Sequence, residues 1–473
     1  MLGMKVTQVA ICPSEASGKA GRPALTPELL AASGARYSRN NEGLEAILAR
    51  IDPHKLEVSV DAIFRMVDYG HQSIADMVPV AMFMDGISIW LAYYIWTLCP
   101  TAGGQESSTR YIKIAVEGLI PPEVLGIPAS DIPEWRESMR RCFQAYQSSL
   151  EICEAAARDD AGLMGIPASL LNDPSAPAQK KVARMRRNYA FDRARYFLPV
   201  SAGTNVMLVM SAKAWVNLCQ FLLSHPLPEP RMLGELIRAE LELAAPRMLK
   251  YAVRTESNHE ALADEFGKLV QLASAKVLAG ETPLTPCSES AKPSLSVMLP
   301  EGTSGADFGK DFRNHTNRYA PFGSALQRTS VRFGWSAIGF AEIRDLNRHR
   351  TGCRYCPQVP SGFYFALDQL PAHATAHRER LLEQARLGQS ASARALSLLQ
   401  KAEPSYIYWS LLGTEYPFEH TTTADKFIYE AELRTGLGAH FRYAKHLRDV
   451  LALWYEQFPT TKGLVLEGAA EPE

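Results

Sequence analysis

The sequence is short of several features that would assign it to a common class. Neither sign of charge is in excess: 50 lysines and arginines face 51 aspartates and glutamates, for a net charge of −1. That argues against a general nucleic-acid grip, which needs a basic face. A local anion pocket stays open, because a few arginines can converge without altering the total. No apolar run is long enough to span a bilayer. The most apolar stretch, GISIWLAYYIWTLCP from Gly86 to Pro100, falls short of the roughly 20 residues required and reads as a buried core helix, so no membrane partner is expected. The eight cysteines follow no regular framework, and the opening residues lack the basic flank and apolar core of a secretion signal. Both point to a reduced, cytoplasmic setting. There is no Gly-rich dinucleotide fingerprint and no Walker loop, and nothing points to a Ser-His-Asp set.

The 473 residues are enough for two or three domains with a large core. Thr26-Pro27 has the form of a helix start, a capping hydroxyl followed by proline at the first helical position. Segments such as EGLEAILARI and DAIFRMVDYG then place apolar residues at helical spacing. A long amphipathic helix is expected over Glu134–Arg158, a loop over Gly162–Ala178 and a basic helix over Gln179–Arg195. Pro, Ser, Thr and Gly dominate the stretch around 280–305, which sets the expected boundary. The division is a first domain over 1–275, a linker over 276–305 and a second domain over 306–473. Two stretches look like distant copies of one unit. The first runs GHQSIADM, an apolar helix and TLCPTAGGQESSTRY; the second runs PFGSALQR, SVRFGWSAIGFAEIRDLN and RHRTGCRYCPQVP. A spacing of about 250 residues is too long for a solenoid repeat and suggests duplication of a whole domain.

Three local patterns can carry chemistry. In Arg348-His349-Arg350, two guanidiniums flank an imidazole and can clamp a phosphate or pyrophosphate; the competing reading is an exposed basic turn after a helix. In Gln105 to Tyr111, the preceding Gly103-Gly104 permits close backbone approach to a ligand. Ser108 and Arg110 could hold a phosphate there, and Glu106 could order a base or an arginine; the competing reading is a solvent-facing turn and helix cap. Cys353 and Cys356 form half of a zinc or redox site. With no second pair at zinc-ribbon spacing, two ordinary thiols in a turn is the simpler reading and no metal site is expected, although His349 nearby keeps one open.

Together these pieces resemble the flavin-dependent thymidylate synthases. In the first half, Ala35-Arg36-Tyr37-Ser38 resembles that family's upstream element. Gly70-His71-Gln72-Ser73 resembles its Gly-His element, with Asp76 and Met77 where glutamate and histidine are usual. Gln105-Glu106, Ser108, Arg110 and Tyr111 resemble the nucleotide-binding end, Ala194-Arg195-Tyr196-Phe197-Leu198-Pro199 a downstream element, and Asn217 a flavin-contacting asparagine. Leu98-Cys99-Pro100 stands in place of Arg-His-Arg, and Leu222 in place of a late arginine. The second half is the mirror case. Arg348-His349-Arg350 is intact, as are Leu433-Arg434 and Ala439-His440, whereas Gln358, Pro360 and Phe322 replace the motif serine, the motif arginine and the Gly-His histidine.

The resemblance implies an α+β fold present twice, each copy a mixed sheet with surrounding helices. It also implies a fused chain that pairs as a homodimer forming a pseudo-tetramer. Family active sites are shared between subunits, so complementary loss implies one surviving composite pocket with Glu106, Ser108, Arg110 and Arg195 on one side and Arg348 and Arg434 on the other. The implied activity is reductive methylation of dUMP to dTMP with FAD, NADPH and methylenetetrahydrofolate. Ser108, Arg110 and Arg195 would hold the nucleotide phosphate. Arg348 and Arg434 would be catalytic at the uracil ring, and Arg348, His349, Arg350, His71, Ser73, Ser38 and Asn217 would contact the flavin. The alternatives are a related flavoenzyme on another pyrimidine nucleotide and a non-catalytic nucleotide-binding descendant.

Overall fold

The structure is a computed structural model. It describes the chain except residues 1–2, 12–13, 40–42, 53, 69–71, 110–113, 279–285, 288–290, 305–307, 437–438 and 469–473, and also leaves out the side chains of 276–278 and 286–287. The chain separates into two compact units. One comprises Met1–Ala129 and Ala202–Gly267, the other Ser130–Ser201 and Lys268–Glu473. This partition differs from the linear division at 276–305, because the segment 130–201 groups with the second half of the sequence.

The first unit is built on a four-stranded antiparallel sheet in the order β1-β2-β4-β3, with β1 Lys5–Val9, β2 Pro79–Ser88, β3 Gly103–Glu106 and β4 Gly203–Ser211. Thr26 caps the helix Pro27–Tyr37, its hydroxyl accepting from the Leu29 amide, with proline in the first turn. The apolar stretch after β2 is the helix Ile89–Leu98, buried on nearly every side. Its start is locked by Ser88. The Ser88 hydroxyl accepts from the Leu91 amide at 2.9 Å and donates to the wholly buried Glu229 at 2.8 Å. The buried carboxylate thus accepts from both the amide and the hydroxyl of a helix start. Among the described residues no helix is long and apolar enough to cross a membrane.

The second unit carries a six-stranded sheet in the order β5-β9-β10-β7-β6, with β8 also on β10. The strands are β5 Pro286–Cys287, β6 Ser294–Met298, β7 Ser330–Gly339, β8 Cys353–Tyr355, β9 Gly362–Tyr364 and β10 Thr414–Thr423. All pairs are antiparallel except β5 with β9. β6 lies inside the expected linker; its alternating burial, with Leu295 and Val297 less exposed than their neighbours, is that of an edge strand.

The two sheets repeat one plan. In each, a short helix leads into a long strand, a buried helix and a short strand, and later a second long strand pairs with both and runs into another helix. The path β1-β2-β4-β3 thus corresponds to β6-β7-β10-β8. The α+β fold with a second sheet unit is as the motifs implied. The reason why 130–201 groups with the second half is local. Its helices Ile132–Asp159 and Ala176–Ala194 pack on each other, and the first also packs on the helix Thr375–Gln400. Trp135 donates its indole N–H to the Tyr408 carbonyl at 3.0 Å. Backbone hydrogen bonds then join the segment 196–200 to 410–413: Val200 donates to Ser410, Leu412 to Leu198 and Gly413 to Tyr196.

Candidate functional site

In the second unit, chemistry gathers around the short helix Phe340–Leu346. Glu342 and Asp345 stand three residues apart and so share a face of that helix. They grip two consecutive residues of the turn that follows Ala176–Ala194. Tyr196 donates its hydroxyl to Glu342 Oε1 at 2.6 Å, and Arg195 Nη2 lies 3.1 Å from Asp345 Oδ2. Tyr196 and Glu342 are fully buried and Arg195 nearly so. The other Asp345 oxygen, Oδ1, faces Arg348 Nε at 3.8 Å. Burial opposes the Asp345 charge, but Arg195 and Arg348 outweigh it and hold the carboxyl below its usual range. Burial likewise opposes the Arg195 charge, and Asp345, with Tyr196, Asp192 and Glu342 beyond it, offsets the cost and keeps the guanidinium charged.

Arg434 closes the group. It ends the helix Ala424–Arg434, and its Nε donates to His349 Nε2 at 3.1 Å. An imidazole nitrogen that accepts this bond carries no proton, so His349 is neutral. Burial pushes its pKa down to about 4, against the pull of Glu430 and with the help of Arg434. The Arg434 guanidinium also lies 5.7 Å from the centre of the Tyr443 ring, and the Tyr443 hydroxyl donates to Glu430 at 3.3 Å. Glu430 faces His420 Nδ1 at 3.4 Å, and His420 Nε2 is 2.7 Å from the Thr351 carbonyl. Arg195 and Arg348 therefore share one aspartate, and Arg434, from a third stretch of chain, is bonded to the neutral His349 that follows Arg348. Arg350 is half-buried beside them.

Behind this group lies a buried ion cluster. Arg442 faces Glu342 at 3.6 Å and Glu415 at 3.7 Å and stacks 3.1 Å over the Tyr364 ring. Burial raises the Glu415 pKa to about 7, against the opposing pull of Arg442. Glycines make the room: a Cβ on Gly339 would fall 2.6 Å from Glu342, and one on Gly362 2.2 Å from Glu415.

In the first unit, Glu106 ends β3 opposite Val206, and the Ser107 amide donates to the Asn205 carbonyl at 2.9 Å. Glu106 and Ser108 are both half-buried. Ser38, Ser73 and Asn217 are exposed and belong to neighbouring elements: the helix Ser73–Asp76 packs on both Pro27–Tyr37 and Ala212–Ser224. The Ser38 hydroxyl donates to the Ala35 carbonyl at 3.0 Å. Asp76 is held by Ser211 and Lys213, each at 3.1 Å. His71 and Arg110 lie outside the described residues.

Where the sequence departs from the family pattern, packing fills the place. Leu222 is core, Cys99 is buried, and Phe322 stacks on His315, which in turn contacts Glu432 at 3.0 Å. Cys353 is exposed and Cys356 half-buried, neither in a disulfide, and no metal-binding group of side chains occurs among the described residues. Sequence reasoning missed Asp345, Glu342, Glu430 and Tyr443. Only Asp345 left a signal, an acid three residues before Arg348 at helical spacing.

The comparisons with known proteins bear on this arrangement. Residues 24–247 match the family model described as thymidylate synthase complementing protein, which bears out the resemblance read from the motifs. The UPF0159 protein Ta1429 of Thermoplasma acidophilum is 24% identical over 479 aligned positions, covering 91% of this chain and 93% of its own. Its similarity therefore runs through both units. Among solved structures, the UMP/dUMP methylase PolB from Streptomyces cacaoi bound with 5-Br dUMP is similar at 15% identity and a TM-score of 0.32, over 52% of this chain and 93% of that one.

Proposed function

We propose that this chain, with its thymidylate synthase complementing region, binds a pyrimidine nucleoside monophosphate and methylates its base reductively, with dUMP as substrate and methylenetetrahydrofolate as carbon donor. The observation that carries the reading is the convergence of Arg195, Arg348 and Arg434 in the second unit. Guanidiniums grouped in this way suit a phosphate and the anionic edge of a uracil ring. In the second unit Arg195 is proposed to serve the phosphate; in the first, Ser108 and Arg110 are proposed to hold a phosphate and Glu106 to order a base.

Arg348, whose side chain is 37% exposed, presents its terminal nitrogens to a ligand. Arg434 spends only Nε on His349, and no described residue takes its terminal nitrogens. Those donors stabilise negative charge that builds on the ring as it is attacked. The neutral His349 fixes the direction of the Arg434 fork and adds no charge of its own.

Residues expected at a flavin fit it unevenly. Ser38, Ser73 and Asn217 offer exposed, uncharged polar groups on adjoining helices of the first unit, which suits the polar edge of FAD. His349 is a poorer fit, since its Nε2 is already occupied by Arg434. FAD, reduced by NADPH, would supply the hydride; the protein supplies position and charge. We further propose a cytoplasmic homodimer. The test is an absorbance spectrum of the purified chain with and without added FAD and dUMP. A flavin band perturbed by dUMP is expected and justifies a dTMP assay. Flavin uptake without any response to dUMP points to another pyrimidine nucleotide, and no flavin binding under any condition removes the enzyme reading.

A further inference from the structure

One carboxylate serves two guanidiniums here, with one oxygen to each: Oδ2 to Arg195 at 3.1 Å and Oδ1 to Arg348 at 3.8 Å. The Asp345 side chain is 16% exposed, that of Arg195 6% and that of Arg348 37%. Arg195 is therefore an inner member whose charge is matched from within the protein, and Arg348 is the outer member that a ligand can reach. The trio carries one net positive charge rather than two, and in so sheltered a place that difference is poorly screened by salt.

We propose that Asp345 is the positioning and charge-setting residue of this site: it holds Arg195 and Arg348 on one carboxylate and cancels one of their charges, so that the site accepts a monophosphate and discriminates against ligands of higher anionic charge. The helix Phe340–Leu346 supports the assignment. Glu342 anchors Tyr196 from the same face, so the residue next to Arg195 is fixed independently of Asp345. Removing the Asp345 charge should leave Arg195 near its place while freeing its charge for a ligand. The inference rests on the nucleotide reading only for the identity of the ligand; the charge effect does not need a base.

The experiment measures calorimetric binding of phosphate, pyrophosphate, deoxyuridine and dUMP to the full-length protein and to Asp345→Asn, with Asp345→Glu as the charge-restoring control. Asp345→Asn is expected to gain affinity in order of ligand charge: about tenfold for pyrophosphate, less for phosphate and dUMP, and none for deoxyuridine. Asp345→Glu should restore the wild-type order. A uniform loss across all four ligands, or no change, overturns the proposal, since a merely structural role cannot favour the more highly charged ligand. Should Asp345→Asn fail to fold, Arg348→Gln decides. With Arg195 matched by Asp345, that variant is expected to bind pyrophosphate and phosphate more weakly while deoxyuridine is unaffected, the loss being larger for pyrophosphate, and equal affinities for pyrophosphate and phosphate in wild type and variant overturn the inference. Charge-ordered gains for phosphate and pyrophosphate with no dUMP binding by either protein support the role of Asp345 and remove the nucleotide reading instead.

Discussion

Replacing Tyr196 with phenylalanine should cost more stability than a surface hydroxyl, and the cost should depend on Glu342. The hydroxyl donates to Glu342 Oε1 at 2.6 Å, with both residues fully buried. Phenylalanine keeps the ring's edge contacts with Tyr364, at 4.6 Å, and His440, at 6.1 Å, so the change is confined to one O–H. A hydrogen bond to a charged group contributes about 1.5–3 kcal/mol. Its loss leaves a buried oxygen facing no donor, while the other carboxylate oxygen still faces Arg442 at 3.6 Å. Burial already raises the Glu342 pKa against the pull of Arg442 and Arg195; without the hydroxyl the carboxyl should take up a proton more readily. The assay is a double-mutant cycle of Tyr196→Phe and Glu342→Gln by urea unfolding. Hydrogen exchange over 340–346 would localise the change to the second unit. A coupling of roughly 1–2 kcal/mol is expected. A coupling below about 0.5 kcal/mol, or exchange in 340–346 unchanged by Tyr196→Phe, would refute the reasoning that this bond anchors the helix to the turn bearing Arg195.

Other outcomes follow from the same contacts. Arg434→Ala should slow turnover by about a hundredfold or more with little change in nucleotide affinity, whereas Arg110→Ala or Arg195→Ala should chiefly weaken nucleotide binding; equal turnover and affinity in Arg434→Ala would remove its catalytic role. Four histidines are held neutral by burial: His225 and His440 are pushed down to about 3, His349 to about 4, and His446 well below its ordinary value. The unfolded chain therefore binds protons first as pH falls. The stability these histidines contribute is full above about pH 6.5 and is lost on acidification toward pH 4, at up to about 1.4 kcal/mol per unit for each, a loss that the raised pKa of Glu415 offsets only in part. A urea midpoint that stays flat from pH 7 to pH 5 would contradict this. Gly388→Ala should destabilise despite the helix propensity it adds. The new Cβ would fall 2.1 Å from the fully buried Phe363 ring, and overpacking of this kind costs about 1–3 kcal/mol. A raised melting temperature would show that the ring can yield.

Where the chain's signals were local, the sequence was sufficient. The Thr26-Pro27 helix start, the buried apolar helix after residue 88 and the long helix ending near Arg158 follow from capping chemistry and hydrophobic period, which act within a few residues. The doubled motif order was legible for the same reason, and it reappears as two sheets with one strand plan. Two other features were not legible. The strand β6 was hidden in a Pro- and Ser-rich stretch, because an edge strand pairs on one side only and needs little apolar content. The grouping of residues 130–201 with the second half depends on hydrogen bonds between residues more than 200 positions apart, such as that from Trp135 to Tyr408. Arginines 195, 348 and 434 and His349 could be named from motifs alone, but the aspartate that binds two of those arginines, and the contact of a neutral His349 with the third, could not. A charge acts on whatever lies a few ångströms away, and only the tertiary structure decides which residues those are.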